Sequence, residues 1–296
     1  MQIGMNLPVM VPGLDRRTVL EWCRRIDAGP FSTLAAGERI TFPNPEVMVT
    51  LSVAAAATER VKLAFTVAVL PLHHSMPLFA KQVATLDVLS GGRLTVGIGA
   101  GWLKTEFDAV VTTPFPERGA VTDEYIDAFK VLWTESSPKF SGKYSKFDGI
   151  VLEPKPVQKP HPPIWVGGEG PAALRRAARV SDAWYPIGSN NQHLLDTLPR
   201  LQAGIARLRE AEKKAGRAPG SVGVAFRVKR YGAAVPPRAN NGERRLFSGS
   251  EADLIADFRA LRQLGVGAID IDFGRPTADA VLAEMARFRK AVIEKV

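Results

Sequence analysis

The run Gly167-Gly168-Glu169-Gly170-Pro171-Ala172 follows the apolar triplet Ile164 to Val166 and precedes a segment of helical spacing. Consecutive main-chain N–H groups at a helix start, with no side chains in the way, can hold an anion, and Pro171 gives up only a donor the helix does not use. The same glycines equally suit a tight turn that needs positive φ, so the residues alone leave both readings open. Glu169, whose carboxylate would repel a phosphate, is expected to face solvent. Gly37-Glu38-Arg39 closes a second apolar run. Arg39 stays protonated and is a poor acid or base, but it can hold a carboxylate or pair with Glu38. His73 and His74 could supply a proton near neutral pH, although neighbouring histidines on a loop are more often simply solvated. Asn6 offers an amide. Asp270 and Asp272 alternate with Ile269 and Ile271 and so share a layer, where one of them can anchor the fold rather than react. His73, His74, His161 and His193 lack the spacing of a metal site, and no nucleophile elbow or phosphate-loop lysine motif is present. That absence is what a cofactor-dependent enzyme would show, since its reactive group is not a side chain.

These groups need elements to carry them. The helical spacing of Leu78, Val83, Leu86 and Leu89 stops at Gly91-Gly92, and the apolar run Leu94 to Ile98 ends in Gly99-Ala100-Gly101. That reads as a helix, a tight stop, a buried strand and a glycine-rich exit. Eight strands are predicted: Ile3 to Leu7, Thr33 to Ala36, Val61 to Leu70, Leu94 to Ile98, Ile164 to Val166, Ala183 to Tyr185, Val222 to Val228 and Ala268 to Phe273. Each is followed by a helix-length segment, which implies parallel strands with right-handed crossovers. Periodicity alone leaves a closed barrel and an open doubly wound sheet nearly tied. Helix starts are expected at Asn44-Pro45, at Ser189 with Gln192, and at Ser250 with Asp253, and a helix end at Leu264-Gly265. Ligands of parallel α/β folds sit at the carboxyl ends of strands. Small and β-branched Thr66, Val67 and Ala68 would leave room there for a flat ring, with core packing as the competing reading. Residues 134–163 and 231–250 are too long for plain connections. The second is expected to be a mobile lid, with Arg238, Arg244 and Arg245 able to approach an anionic ligand.

The 296 residues are 46% hydrophobic, enough for one large domain. No apolar run is long enough to span a membrane, and Met1-Gln2-Ile3-Gly4 opens into a strand rather than a signal peptide, so a cytoplasmic protein is expected. Cys23 is the single cysteine; Trp22 and Ile26 beside it suggest inert packing on a core-facing helix. The net charge of +9 is dispersed over helix faces, as at Arg16, Arg17, Arg24 and Arg25, or Arg207, Arg209, Lys213 and Lys214, without interleaved aromatics. That pattern argues against nucleic acid, while the excess charge can attract an anionic cofactor.

Two blocks carry a family resemblance. The stretch Leu86 to Trp102, LDVLSGGRLTVGIGAGW, with Glu106-Phe107 after it, and residues 154–170, PKPVQKPHPPIWVGGEG, resemble the bacterial luciferase-like monooxygenase family. Arg118, Asp123-Glu124 and Leu132-Trp133 fall where the family's fourth helix would put them, so the likeness covers nearly the whole chain. It implies a (β/α)8 barrel over 1–296 as one domain, with insertions before strand five and after strand seven. It also implies an oxidoreductase or monooxygenase acting on a small organic substrate through FMN or the deazaflavin coenzyme F-420, with F-420 slightly favoured by the turn at Gly37-Glu38-Arg39 and the Gly99-Ala100-Gly101-Trp102 exit. A homodimer is implied as well. The family places the cofactor phosphate on the turn from Gly167 to Ala172, and the ring on Thr66, Val67 and Ala68, often on a strained bulge. By its place at a strand end the exit Gly99, Ala100 and Gly101 is expected to be a floor for a bound ring, and Asn6 a contact to the ring or the substrate. Glu38, Arg39 and His73 are the catalytic candidates. Many members carry histidine where this chain has Arg39, which argues against activities that need that imidazole, light emission among them. The alternatives are a phosphosugar lyase or isomerase using Lys229 as nucleophile, and a non-catalytic flavin-binding relative.

Overall fold

Apolar residues that alternate with small or polar ones give strands whose outer face packs on helices, and the computed structural model, which describes residues 1–296, forms all eight expected strands. In chain order the elements are β1 (Gln2–Asn6), α1 (Arg16–Ala28), β2 (Thr33–Ala36), α2 (Val47–Ala57), β3 (Lys62–Val69), α3 (Met76–Leu89), β4 (Leu94–Gly99), α4 (Lys104–Val110) and α5 (Arg118–Thr134). Then follow β5 (Phe140–Ser141), β6 (Lys146–Phe147), β7 (Ile164–Gly167), α6 (Pro171–Val180), β8 (Ala183–Tyr185), α7 (Leu198–Lys214), β9 (Gly223–Val228), α8 (Glu251–Gln263), β10 (Ala268–Ile271) and α9 (Ala278–Ala291). The strand order β1-β10-β9-β8-β7-β4-β3-β2 is a closed parallel barrel, so the open-sheet alternative falls. No helix is long and apolar enough to cross a membrane.

Two compact units make up the chain. The first comprises residues 1–35 and 165–296. Within it Gly4 is in register with Asp270, and Asp270 with Arg227. The pleat therefore puts Ile3, Met5, Phe226, Val228, Ile269 and Ile271 on one face, all buried, and Gly4, Asp270 and Arg227 on the other. Helix starts are held by side-chain caps: Asp15 for α1, Thr197 for α7, Thr277 for α9, and for α8 the expected capping box of Ser250 and Asp253. Gly265, at φ +82°, follows the end of α8 as expected. The start expected at Ser189 is not a helix start: Thr197 caps the helix instead, and Asn190 accepts from the Gln192 and His193 N–H groups in a turn. Cys23 is fully buried, and burial pushes its thiol up to about 12.

The segment expected to be a mobile lid is packed in this unit. Arg244 pairs with Asp257 at 2.7 Å, Arg245 with Asp196 at 3.0 Å, and Arg238 donates to the Gly242 carbonyl. Leu246, Phe247 and Ser248 are buried. Turn-forming composition gave the expectation, but the arginines are committed to the protein's own acceptors.

The second unit comprises residues 36–164. The cap of α2 is Glu46, which accepts from the Met48 and Val49 N–H groups; Asn44 instead donates to the Arg39 and Pro45 carbonyls. A carboxylate that reaches two N–H groups outcompetes the neutral amide. The insertion before the barrel's fifth strand, β7, holds the antiparallel pair β5 and β6, anchored where Glu124 accepts from the N–H groups of Lys143, Tyr144 and Ser145. Gln158 ties its far end to Asp87 and the Leu94 carbonyl.

Candidate active site

In the second unit, β3 shifts register against β4 between Phe65 and Ala68, a bulge in which the Thr66-Val67 peptide is cis. The glycines of β4 exist to accept it. A Cβ at Gly97 would run into the Phe65 carbonyl, one at Gly99 would lie 2.7 Å from Val67 Cγ2, and one at Gly101 would lie 2.9 Å from Val69 Cγ1. The room that Gly99 and Gly101 leave on their Cβ side is thus taken up by Val67 and Val69.

Glu38 fastens the exit of this bulge. Buried, it accepts from the Val69 N–H at 2.6 Å, while its own N–H donates to the Val67 carbonyl at 3.1 Å. Its carboxylate also lies 3.1 Å from His73 Nε2, and the His73 ring stacks on Phe79 at 3.6 Å. One carboxylate therefore positions both the strand end and the imidazole. Arg39 does not pair with Glu38, contrary to one expectation; it pairs with Glu106 at 3.0 Å. Glu106 also accepts from the Ile40 and Thr41 N–H groups, which locks the loop around the guanidinium. Phe42 lies 4.1 Å and Trp102 5.2 Å from the Arg39 guanidinium carbon. Arg39 Nε is buried and donates to nothing, so the clamp leaves a desolvated donor for an acceptor oxygen.

In the first unit, Gly168 adopts φ +108°, and a Cβ there would lie 2.9 Å from that of Ala173. Gly170 precedes α6 without a side-chain cap, so the N–H groups of Ala172 and Ala173 have no intrahelical partner. Glu169 faces inward, not to solvent. It is buried and accepts from the Ile187 N–H at 2.5 Å and from Asn190 at 2.6 Å. Burial raises its carboxyl above the ordinary range, and these two bonds oppose the rise. Its charge is thus turned away from the helix start, and the turn fits a phosphate. His193 Nε2 would lie 3.2 Å from a Cβ at Gly170.

A second polar group lies on the inner face of the first unit. Arg227 holds Asp272 with two nitrogens, at 3.1 and 2.8 Å. Asp270 is buried against Gly4, and burial lifts its carboxyl to about 7, opposed by Tyr185 and Arg227. Burial and the charge of Asp270 hold the Tyr185 phenol well above its usual range. Tyr185 and Arg227 escaped the sequence reading, although a charged residue inside the apolar run Val224 to Val228 was a signal. Asn6, buried at the end of β1, lies on the same face as Gly4.

A family model described as luciferase-like monooxygenase matches residues 1–266. The FMNH(2)-dependent dimethylsulfone monooxygenase of Pseudomonas putida is 42% identical over 138 residues, which is 46% of this chain and 37% of that protein. The match thus spans less than half the length of that curated relative. A monooxygenase from Streptomyces bottropensis has a crystal structure with a TM-score of 0.79 at 22% identity, covering 99% of each chain. An F-420-dependent secondary alcohol dehydrogenase, solved with an F-420-acetone adduct, gives 0.77 at 16% identity over 100% of this chain and 99% of that one. At these identities the two structures speak to the fold. The family model, which covers most of the sequence, closes the question of kinship: this chain belongs to the luciferase-like monooxygenase family.

Proposed function

We propose that this protein is an oxidoreductase that uses FMN or coenzyme F-420 to act on a small organic substrate with acceptor oxygens. The observation that carries the reading is the bulged end of β3, fastened by the same buried Glu38 that positions His73. The bound flavin or deazaflavin supplies the hydride, or the reduced centre that activates oxygen. The chain binds and orients. Thr66, Val67 and Ala68 form the bed for the ring, with Gly99, Ala100 and Gly101 as its floor and Asn6, at the end of β1, as a further contact to the ring or the substrate. Gly167, Gly168, Glu169, Gly170, Pro171 and Ala172 form the phosphate turn, in which only main-chain N–H groups face the anion. His73 holds or moves the proton at Nε2, and Arg39 offers Nε to the substrate oxygen. The relative's dimethylsulfone substrate is a molecule of this kind, which supports an oxygenated small molecule here.

A cytoplasmic homodimer of one barrel domain completes the proposal. Val49 and Val53 on α2 and Leu78 and Leu89 on α3 are exposed, which supports a second copy against that face. Titration of the purified protein with FMN and with F-420, followed by fluorescence, tests the reading: one should bind at least about tenfold more tightly, a difference of about 1.4 kcal/mol. Failure of both to bind would overturn it.

A further inference from the structure

A cavity of about 1190 Å³ opens between α6 and α7 in the first unit. It starts at the turn proposed for the phosphate, where Pro171 and His193 line it, and runs past Leu174 and Ala211 to Lys214 and Ala215 at the far end of α7. Its walls carry Arg175 and Arg179 from α6 and Arg207 and Lys214 from α7. Two carboxylates line it, and both are engaged by groups other than Arg207 and Lys214. Glu169 is bound inward by the Ile187 N–H and Asn190, and Glu210 pairs with Lys213 at 2.7 Å. On α7, Arg209 and Lys213 have carboxylate partners, whereas Arg207 and Lys214, which face the cavity, have none. Leading away from the glycine turn, Arg175 and Arg179 stand about 6 Å apart along α6, and Arg207 and Lys214 about 10 Å apart along α7. Such spacing suits an extended ligand with several carboxylates, attached to the group held at the turn.

We propose that the groove between α6 and α7 docks an acidic chain continuing from the cofactor phosphate. This rests on the reading above and deepens it. FMN ends at its phosphate, whereas F-420 continues into a chain of glutamates, so the groove selects the deazaflavin. Each exposed cation should add roughly three- to fivefold in affinity. Its contribution should shrink as salt shortens the screening length.

The test compares F-420, the same phosphorylated deazaflavin without glutamates, and FMN, with binding read by ligand fluorescence. The proteins are wild type, Arg207→Glu combined with Lys214→Glu, and the control Lys290→Glu on α9. Circular dichroism and a thermal melt confirm that each is folded. The expected result is that F-420 binds wild type and the control at least about tenfold more tightly than the tail-less compound in about 0.05 M salt. The advantage should collapse in about 0.5 M salt and vanish in the double variant, while affinity for the tail-less compound stays the same. Equal affinity of the two deazaflavins for wild type, or a tail advantage that survives both reversals, would overturn the groove and leave the cofactor reading standing. If none of the three compounds binds wild type, the cofactor reading fails and the groove with it.

Discussion

Alanine at position 97 should cost more than alanine at any other glycine of β4, and the reason is local. No positive φ sets Gly97 apart, so an alanine backbone suits the site and the cost is steric. The added Cβ would collide with the Phe65 carbonyl oxygen and lie 3.2 Å from Val67 Cγ1. A carbonyl oxygen cannot rotate away as a side chain can, so the bulge itself must move. Overpacking of this kind typically costs 1–3 kcal/mol and occasionally more; with backbone as the obstacle we expect about 3 kcal/mol. That corresponds to a fall in melting midpoint of roughly 6–12 °C. At Gly99 the obstacle is Val67 Cγ2 at 2.7 Å, with the next atom at 3.9 Å. Gly99→Ala should therefore cost about 1–2 kcal/mol and be largely relieved by Val67→Ala, whereas Val67→Ala should leave Gly97→Ala nearly as unstable as before. Thermal and urea midpoints of the five proteins decide the matter. A Gly97→Ala protein as stable as wild type, or one rescued by Val67→Ala as fully as Gly99→Ala is, would refute the account of the bulge.

Three further outcomes are expected. Burial raises Asp270 to about 7, against about 4 in an unfolded chain, so the native protein keeps a proton that the unfolded chain releases; stability should fall as pH rises from about 4 to about 7. Urea midpoints at about pH 5 and about pH 8 should differ by the equivalent of about 2 kcal/mol or more in wild type and much less in Asp270→Asn; equal declines in both would sink the assignment. Arg39→Ala should raise KM for the substrate while cofactor affinity stays within about tenfold, the pattern of lost uniform binding, and unchanged kinetics would leave Arg39 as a structural partner of Glu106. Trypsin should cut slowly at Arg244 and Arg245 even without ligand, because Asp257 and Asp196 hold both side chains; rapid cleavage there would restore the mobile lid.

The strands were legible because their apolar residues alternate or run continuously: Thr33–Ala36 and Ala183–Tyr185 match residue for residue, and the others shift by one or two at an end. Where spatial neighbours decide, local signals gave way. Asn44 and Ser189 have the chemistry of helix caps, but Glu46 and Thr197 stand where the chain enters the helices. Glu169 was expected outside because an inward carboxylate would repel a phosphate, and only the fold brings the Ile187 N–H and Asn190 to it. Arg39 next to Glu38 suggested an ion pair between neighbours, yet the partner comes from α4. Gly99 and Gly101 stood out as a glycine-rich exit, but Gly97 did not, since nothing in one strand's sequence says that its neighbour bulges toward it.

The pairing of β1 with β10 bears on how this chain is made. Gln2 to Met5 leave the ribosome well before their partners Ala268 to Ile271. Until then β1 can pair with β2 on one side only, and its other edge offers free N–H and carbonyl groups along a strand that carries Ile3 and Met5. The nascent protein thus keeps one open, sticky seam for as long as the residues between β1 and β10 are being made. A stalled or truncated product that ends before Ala268 should be captured by chaperones or aggregate rather than persist as a smaller soluble barrel.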